Sequence, residues 1–185
     1  TVGATGPGGG IVFYVANTPF SCGAAMTQIC TYLEAAPSNW NSGSDPRRTW
    51  AQASPVNYQS TAIFNPTTPE TASATAIGWG YRNTRAIILQ GNSNAASSAA
   101  ALADSYSSSP SGAVIDDWFL PSKNELNQLY LRKAIVGGLV ESEDTYYFSS
   151  SGSSFFTAWV QSNFDGWQGD GNKGDAFYLR PIRAF

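Results

Sequence analysis

The first third of the chain carries two short runs of strand-forming residues followed by a long polar stretch. Residues 11–15 are β-branched and aromatic and follow a glycine run, so they predict a strand. Residues 31–36 predict its partner strand, which the next residue, a proline, ends. Residues 38–69 are rich in Asn, Ser, Pro and Thr but contain Trp40 and Trp50. Because disordered segments carry few aromatic residues, we expect a long loop anchored by these tryptophans.

The middle of the chain predicts three short helices. Residues 81–89 repeat apolar side chains at helical spacing, and residues 95–106 are rich in alanine, the strongest helix former. The third helix is predicted over residues 122–135, where Ser122 and Glu125 have the spacing of a capping box. A glycine pair follows that segment and predicts its end.

The last third of the chain reads as strands separated by Ser/Gly and Asp/Gly/Asn turns, over residues 146–148, 155–160 and 176–182. A hairpin, a long loop, helices and then strands predict an α+β fold class. We expect one domain over residues 1–185, with an antiparallel sheet, two or three short helices and long irregular loops. The first and last strands are expected to pair, which would place the termini close together.

Composition and charge narrow the functional classes. Only 12% of residues are charged, about half the average for soluble proteins, and a surface of Ser, Thr, Asn, Gln and Gly is typical of secreted modules and adhesins. The formal net charge is −3 and no block of Lys or Arg occurs, which argues against nucleic acid as a partner. No apolar run approaches the roughly 20 residues that span a bilayer, so we expect no membrane insertion by this domain.

The two cysteines, Cys22 and Cys30, lie in one short segment between the first two predicted strands. Such a pair can bridge the arms of a hairpin loop, which predicts a disulfide and an extracytoplasmic location. The alternative is two buried free thiols. A zinc site is not expected, because the chain has no His and no second Cys pair.

The residues for common catalytic chemistry are missing. Without His, the usual general base and the Ser-His-Asp and Cys-His arrangements cannot be built. Asp116 and Asp117 are interpreted as a turn or helix-entry device beside Trp118, although a carboxylate-dependent hydrolase stays open as an alternative. The glycine run 8–10 precedes a strand, so it is interpreted as allowing close backbone packing and not as a phosphate-binding loop. We expect no enzyme.

Four blocks together resemble a known bacterial domain family: residues 6–15, 33–37, 116–130 and 179–185, the last two containing Asp-Trp-Phe-Leu-Pro-Ser and Arg-Pro-Ile-Arg. The family is typified by the C-terminal domain of the Legionella collagen-like adhesin. It is similar to the formylglycine-generating-enzyme branch of the C-type lectin fold and to variable proteins diversified by retroelements. The resemblance implies a C-type-lectin-like fold and a surface-exposed binding role, with no particular ligand. The calcium-binding triplets of sugar-binding lectins and a C-terminal reactive cysteine pair are both missing here.

The region between residues 158 and 175 mixes aromatic and polar side chains, which binding surfaces favour. Alternation along one strand would direct Val160 and Phe164 to the core and the intervening polar residues outwards, with Trp159 in the core. The predicted ligand-binding residues, expected on one exposed surface, are Gln161, Asn163, Asp165, Trp167, Asp170 and Asn172.

The same region is a candidate calcium site. Oxygen ligands at short intervals among glycines can surround calcium, and the residues concerned are Asp165, Asp170, Asn172 and Asp175. Asp-Gly and Asn-Lys-Gly are also ordinary turn formers, which is the alternative interpretation of this loop. Apart from this candidate calcium ion, we expect no cofactor.

The sequence thus predicts a non-catalytic ligand-binding or adhesion module of a bacterial surface or secreted protein, forming part of a larger chain. Its partner would be a glycan or protein on another surface, bound by the C-terminal loops. The alternatives are a structural spacer or assembly domain of an envelope protein, a retroelement-diversified variable receptor and, less favoured, a hydrolase.

Overall fold

A computed structural model describes residues 1–50, 75–89, 98–154 and 156–185. In these residues the fold is α+β, as predicted, with the strands arranged in two sheets. The strands are β1 (Ile11–Cys22), β2 (Gln28–Ala35), β3 (Arg47–Arg48), β4 (Tyr146–Gly152), β5 (Thr157–Ser162), β6 (Gln168–Asn172), β7 (Phe177–Tyr178) and β8 (Ile182–Ala184). The helices are α1 (Gly80–Leu89), α2 (Ala99–Ser105), α3 (Lys123–Leu131) and α4 (Lys133–Val136).

The smaller sheet has the strand order β1-β2-β8. The first two strands form the predicted antiparallel hairpin, but the last strand pairs with β2, with Leu33 opposite Ala184. The predicted pairing of first and last strands is therefore wrong. The outer edge of β1 is already occupied, because Gly3 N donates to Val12 O over 2.8 Å. The two chain ends consequently flank opposite edges of this sheet.

The disulfide predicted between Cys22 and Cys30 is present, and its Cα atoms lie 6.0 Å apart. It crosses the far end of the β1–β2 hairpin, where Phe20 is opposite Cys30 and Cys22 is opposite Gln28. Both cysteines are buried, so the bridge closes the hairpin from its inner side.

The larger sheet has the order β3-β7-β4-β5-β6 and is mixed, because β4 and β7 run parallel while its other pairs are antiparallel. The single strand predicted over residues 176–182 is in fact β7 and β8, in different sheets. Two residues between them interrupt the strand: the Arg180 side chain is fully buried, and Pro181 has no N–H to donate to a neighbouring strand. Phe155 of the predicted strand 155–160 lies outside the described residues.

Both faces of the larger sheet are covered. Tyr147 and Phe148 are neighbours on β4 and therefore point to opposite faces. Phe148 packs in a cluster with Trp50, Ile87 of α1 and the alanines of α2. Tyr147 packs in a second cluster with β1, β2 and α3. The sheet thus separates two apolar cores, and most of β4 is fully buried.

Two of the three predicted helices begin within one residue of the predicted start. The second helix begins at Ala99 and not at residue 95, because Ser98 is extended and its hydroxyl caps the helix by accepting from Ala101 N over 3.2 Å. Residues 95–97 lie outside the described part. In α3, Glu125 N donates to Ser122 Oγ over 3.4 Å and Ser122 N donates to Glu125 Oε2 over 2.7 Å, which completes the capping box. The segment predicted as one helix breaks at Arg132 into α3 and α4. No helix in the described ranges is long and apolar enough to cross a membrane.

The glycine run allows the close backbone packing that its position predicts. Gly8 N and Gly10 N donate to the buried Glu34 carboxylate over 3.0 Å and 2.6 Å. A Cβ atom at Gly10 would overlap the carbonyl oxygen of Ala35. The run therefore forms a cradle of amides around a buried carboxylate of β2.

Candidate ligand-binding site

The predicted site residues are distributed along the β5–β6 hairpin, whose connecting turn comes earlier than alternation suggests. Strand β5 ends at Ser162, because Asp165 and Gly166 form the turn, with Gly166 at a φ of +83°. Beyond Ser162 the predicted alternation is wrong. Asn163 is 4% exposed, whereas Phe164, assigned to the core from sequence, is 54% exposed.

The hairpin tip, defined as residues 163–167, is closed by its own hydrogen bonds. Ser162 N donates to Trp167 O over 2.8 Å, and Gly166 N donates to Ser162 O over 3.0 Å. Asp165 Oδ1 accepts a 3.0 Å hydrogen bond from Trp167 N. That bond, together with one from the Ser162 side chain, lowers the pKa of the exposed Asp165 carboxyl, which is therefore ionised at neutral pH.

Side chains from outside the tip hold it in place. Lys133 Nζ of α4 donates to Asn163 O over 2.7 Å. Asn163 Nδ2 donates to Val140 O over 3.0 Å. Gln161 Nε2 donates to Gly166 O over 3.2 Å and to the side chain of Asn127 on α3 over 2.9 Å. Gln161 and Asn163 are thus buried supports of the tip, and the prediction that they lie on an exposed surface is wrong.

The tip also packs directly on helix α3. A Cβ atom at Gly166 would overlap the ring of Tyr130. The positive φ of Gly166 and this close approach both require glycine. The position and conformation of the tip are therefore fixed by the neighbouring helices.

Two aromatic side chains project from this fixed turn. Phe164 is 54% exposed and Trp167 is 53% exposed. The benzene part of the Trp167 indole packs on Gly169 of β6, and its edge meets Tyr146 with ring centroids 6.1 Å apart. Asp165 is exposed between the two aromatics. The candidate contact surface is formed by three exposed residues of the hairpin tip, called the tip residues below: Phe164, Asp165 and Trp167.

The remaining predicted site residues lie on the other face of the sheet. Trp167 packs on Gly169, so Asp170, the next residue on the strand, points to the opposite face, as does Asn172. On that face Asp170 is opposite Trp159 of β5. Trp159 is half-buried, with Lys123 Nζ 3.2 Å from its ring centroid. The prediction of one surface for all six residues is wrong, as is that of Trp159 in the core.

The candidate calcium ligands do not converge. Asp165 and Asp175 lie beyond opposite ends of β6, whose five residues extend roughly 17 Å. Asn172 Oδ1 accepts from Gly174 N over 2.8 Å, as Asp165 does from Trp167 N, so both side chains cap turns. Across the described part of the chain no group of three or more His, Cys, Asp or Glu is placed to hold a metal ion.

Sequence reasoning missed Phe164 and the supporting residues Tyr130 and Lys133. A partial signal for the turn was present, because Gly166 is the residue type that a positive φ requires. It does not by itself identify Phe164 as exposed, because a two-residue Asp-Gly turn would keep Phe164 in the strand, opposite Trp167. The roles of Tyr130 and Lys133 had no sequence signal, since they depend on where α3 and α4 pack.

Comparisons with known proteins bear on the fold alone. No protein-family model matches the chain, and no curated protein is significantly similar to it in sequence. Among solved structures, a fimbrial protein from Bacteroides ovatus ATCC 8483 is similar, with a TM-score of 0.57 over 95% of this chain and 13% sequence identity. The chain spans 44% of that protein's length. At this identity the two proteins share a fold, and the likeness goes no further.

Proposed function

We propose that the chain is a non-catalytic ligand-binding module of an extracytoplasmic bacterial surface protein, and that the hairpin tip is its contact site. The observation that carries this proposal is the pair of exposed aromatics, Phe164 and Trp167, on a turn fixed from several sides. Among the described residues, neither side chain is a member of the two apolar clusters, and Trp167 contacts the first cluster at its edge, through Tyr146.

Preorganisation gives the tip its value as a contact site. Binding costs free energy for each side chain or loop that must be ordered, so a loop that is already rigid loses less on association. Aromatic residues dominate the binding energy of protein interfaces because they bury a large area with few rotatable bonds. Asp165, ionised between them, would add a directional hydrogen-bond acceptor.

The shape of the tip favours a protein over a glycan as its ligand. The tip residues project from the end of a hairpin, and a convex turn of this kind suits insertion into a concave protein surface. An acidic group between two rings further favours a groove that carries a positive charge or backbone amides.

Three observations support a surface location, and the second of them also supports a C-type-lectin-like assignment. The Cys22–Cys30 disulfide requires an oxidising compartment to persist. The sequence blocks described above resemble a family of surface-exposed C-type-lectin-like domains. The Bacteroides neighbour is described as a fimbrial protein, which fits a bacterial surface structure.

A structural spacer or assembly domain is the second candidate. It is favoured by the fimbrial description of the neighbour and by the fact that the chain spans 44% of that protein's length. A spacer has no need of a fixed turn with exposed aromatics, so the tip residues distinguish the two functions.

The test is binding to arrays of surface proteins and glycans with three forms of the protein. We expect the wild type to bind at least one protein, and Phe164→Ala/Trp167→Ala to bind it at least about tenfold more weakly. Phe156→Ala is the matched control, because Phe156 is equally exposed, at 55%, but lies at the other end of β5. Chelation of divalent cations should leave binding unchanged.

Three outcomes would overturn the proposal. A wild type with no specific hit on either array would favour the spacer. A tip variant that keeps full affinity would remove the tip from the binding site, and a hit restricted to glycans would replace the protein ligand with a sugar.

A further inference from the structure

A cavity of about 180 Å³ lies between the disulfide-closed end of the β1–β2 hairpin and the beginning of α1. Its polar walls are Gln28, Tyr81 and Asp117, and its apolar walls include Phe119 and Ala184. None of these residues belongs to the hairpin tip, so the cavity is separate from the site of the proposed function.

The walls of the cavity are fixed. The Cys22–Cys30 bridge closes the hairpin, and Cys30 itself lines the cavity. The Tyr81 ring meets Phe119 edge to face, with centroids 5.8 Å apart. Asp117 Oδ1 and Oδ2 accept from Arg183 Nε and Nη2 over 2.7 Å and 2.9 Å, which fixes the plane of the carboxylate.

Hydrogen-bonding capacity remains open in these walls. The Asp117 side chain is 43% exposed, and each of its oxygens keeps a further lone pair besides the one used by Arg183. Within the described residues, the Tyr81 hydroxyl and the Gln28 side-chain amide form no hydrogen bond. The cavity therefore offers a carboxylate acceptor, an amide and a phenol, with aromatic and aliphatic carbon between them.

The charges beside the cavity disfavour an anionic ligand. Arg183 is shared by two carboxylates, because Nη1 also lies 3.3 Å from the buried Glu34 Oε2. Two carboxylates and one guanidinium leave an excess of negative charge, which repels anions and attracts hydrogen-bond donors. An apolar cavity of about 150 Å³ accepts benzene, and a pyranose is larger than benzene. A partly open cavity of about 180 Å³ can therefore take one side of a sugar ring, with the rest of the ring in solvent.

We infer that this cavity is a binding site for one neutral sugar ring, with ring hydroxyls donated to Asp117 and bonded to Gln28 and Tyr81, and carbon–hydrogen faces packed on the partly exposed Tyr81 ring and on Ala184. Ala24 lines the cavity and is exposed, so it lies at the rim through which a ring would enter. The domain then carries a sugar pocket at the β1–β2 end in addition to its hairpin tip.

The experiment is saturation-transfer NMR on the intact, oxidised protein with methyl glycosides of glucose, galactose, mannose, fucose and N-acetylglucosamine. Glucuronate is the anionic probe and phenol the apolar probe. We expect transfer to at least one neutral glycoside and none to glucuronate. Tyr81→Phe and Gln28→Ala should each weaken that affinity on the order of tenfold, and Ala24→Trp should abolish it by filling the entrance.

The controls separate this site from the hairpin tip and from misfolding. Trp167→Ala should leave sugar binding unchanged, so failure of the proposed function and failure of this site give different results. Tyr81→Phe removes only the phenolic hydroxyl and should preserve the amide NMR spectrum. It therefore tests the site even if Ala24→Trp does not fold. Absence of transfer to every neutral glycoside, transfer to phenol or glucuronate alone, or unchanged sugar affinity in Tyr81→Phe would each overturn the inference.

Discussion

Arg180 and Asp45 are 135 residues apart in sequence and form an ion pair in which Nε lies 2.6 Å from Oδ1 and neither side chain has any exposure. Asp45 also accepts from Trp40 Nε1 over 2.7 Å and from the Tyr147 hydroxyl over 2.8 Å. Arg180 Nη2 donates to Gly138 O over 2.8 Å. Both charges are paired and hydrogen-bonded. The network therefore connects the loop that contains Asp45 to Tyr147 of β4 and to Arg180, just before β8, at a buried position.

Removing the charge of Asp45 should be costly. Breaking a buried pair leaves an uncompensated guanidinium, so Asp45→Asn is expected to lower the free energy of unfolding by about 3–5 kcal/mol. Asp104→Asn is the control, because its partner Arg85 is 39% exposed, and it should change stability by no more than about 1 kcal/mol. Urea unfolding of both variants measures this, and equal losses would contradict it.

The Cys22–Cys30 bridge should contribute stability mainly by constraining the unfolded chain. Its sequence separation of 8 residues corresponds to about 2–3 kcal/mol by loop-closure entropy. The double variant Cys22→Ser/Cys30→Ser should have a free energy of unfolding lower by that amount in urea. Reduced wild type should have the same free energy of unfolding as the double variant. Mass spectrometry after alkylation without reduction should detect no modified thiol; two modified thiols would refute the bridge.

The capping box of α3 is predicted to be structural. Ser122→Ala removes the acceptor for Glu125 N and should cost about 1 kcal/mol in urea unfolding. Binding through the hairpin tip should stay unchanged, as measured on the same protein array. A variant that unfolds like the wild type but loses binding would place this helix end in the functional site.

Glu125 should make stability depend on pH. Complete burial raises the pKa of its carboxyl from 4.5 to about 7, against the opposing hydrogen bonds from Ser122 and Gly78. The native protein therefore keeps this proton at pH values where the unfolded chain has released it. The resulting stabilisation is fully present below pH 4.5 and is lost as the pH rises to about 7, by about 3 kcal/mol.

Glu125→Gln tests this dependence, because the amide does not titrate. The stability of wild type minus that of the variant should fall between about pH 5 and about pH 7 and stay constant above. Urea unfolding over that range measures the difference. A difference independent of pH would show that the hydrogen bonds to its carboxylate, from Ser122, Gly78 and Gly80, outweigh burial in setting the charge of Glu125.

Gly166→Ala should destabilise the hairpin tip for two reasons. Alanine is strained at the φ of +83° that Gly166 adopts, and its methyl group would overlap Tyr130. Gly112→Ala separates them, because Gly112 has a φ of +87° but nothing within 4 Å of the new Cβ. Gly112→Ala should cost about 1 kcal/mol and Gly166→Ala about 1–3 kcal/mol more. Urea unfolding and amide exchange at the tip measure this; equal costs would show that the Tyr130 contact is loose.

Local features of this protein could be predicted because each depends on a few consecutive residues. The capping box needs only the spacing of Ser122 and Glu125, and the disulfide needs only two cysteines across one hairpin. The glycine run could be assigned to close packing because only glycine leaves the space that the Ala35 carbonyl occupies. Strand β5 itself was predicted and ends at Ser162, but both of its faces are covered, so alternation did not predict the burial of Gln161.

The tertiary structure decided which residues meet. Nothing in the sequence pairs Asp45 with Arg180, or Asp117 with Arg183, because residues far apart in the chain come together only when the sheets close. The exposure of Phe164 and the burial of Asn163 follow from one turn and from the helix packed behind it. Sequence patterns therefore determined the first hairpin with its disulfide, the helices and the starts of the late strands, because each depends on neighbouring residues. How the elements pack determined β3, β6, the division of the last strand and the candidate sites, because these depend on burial and long-range pairing.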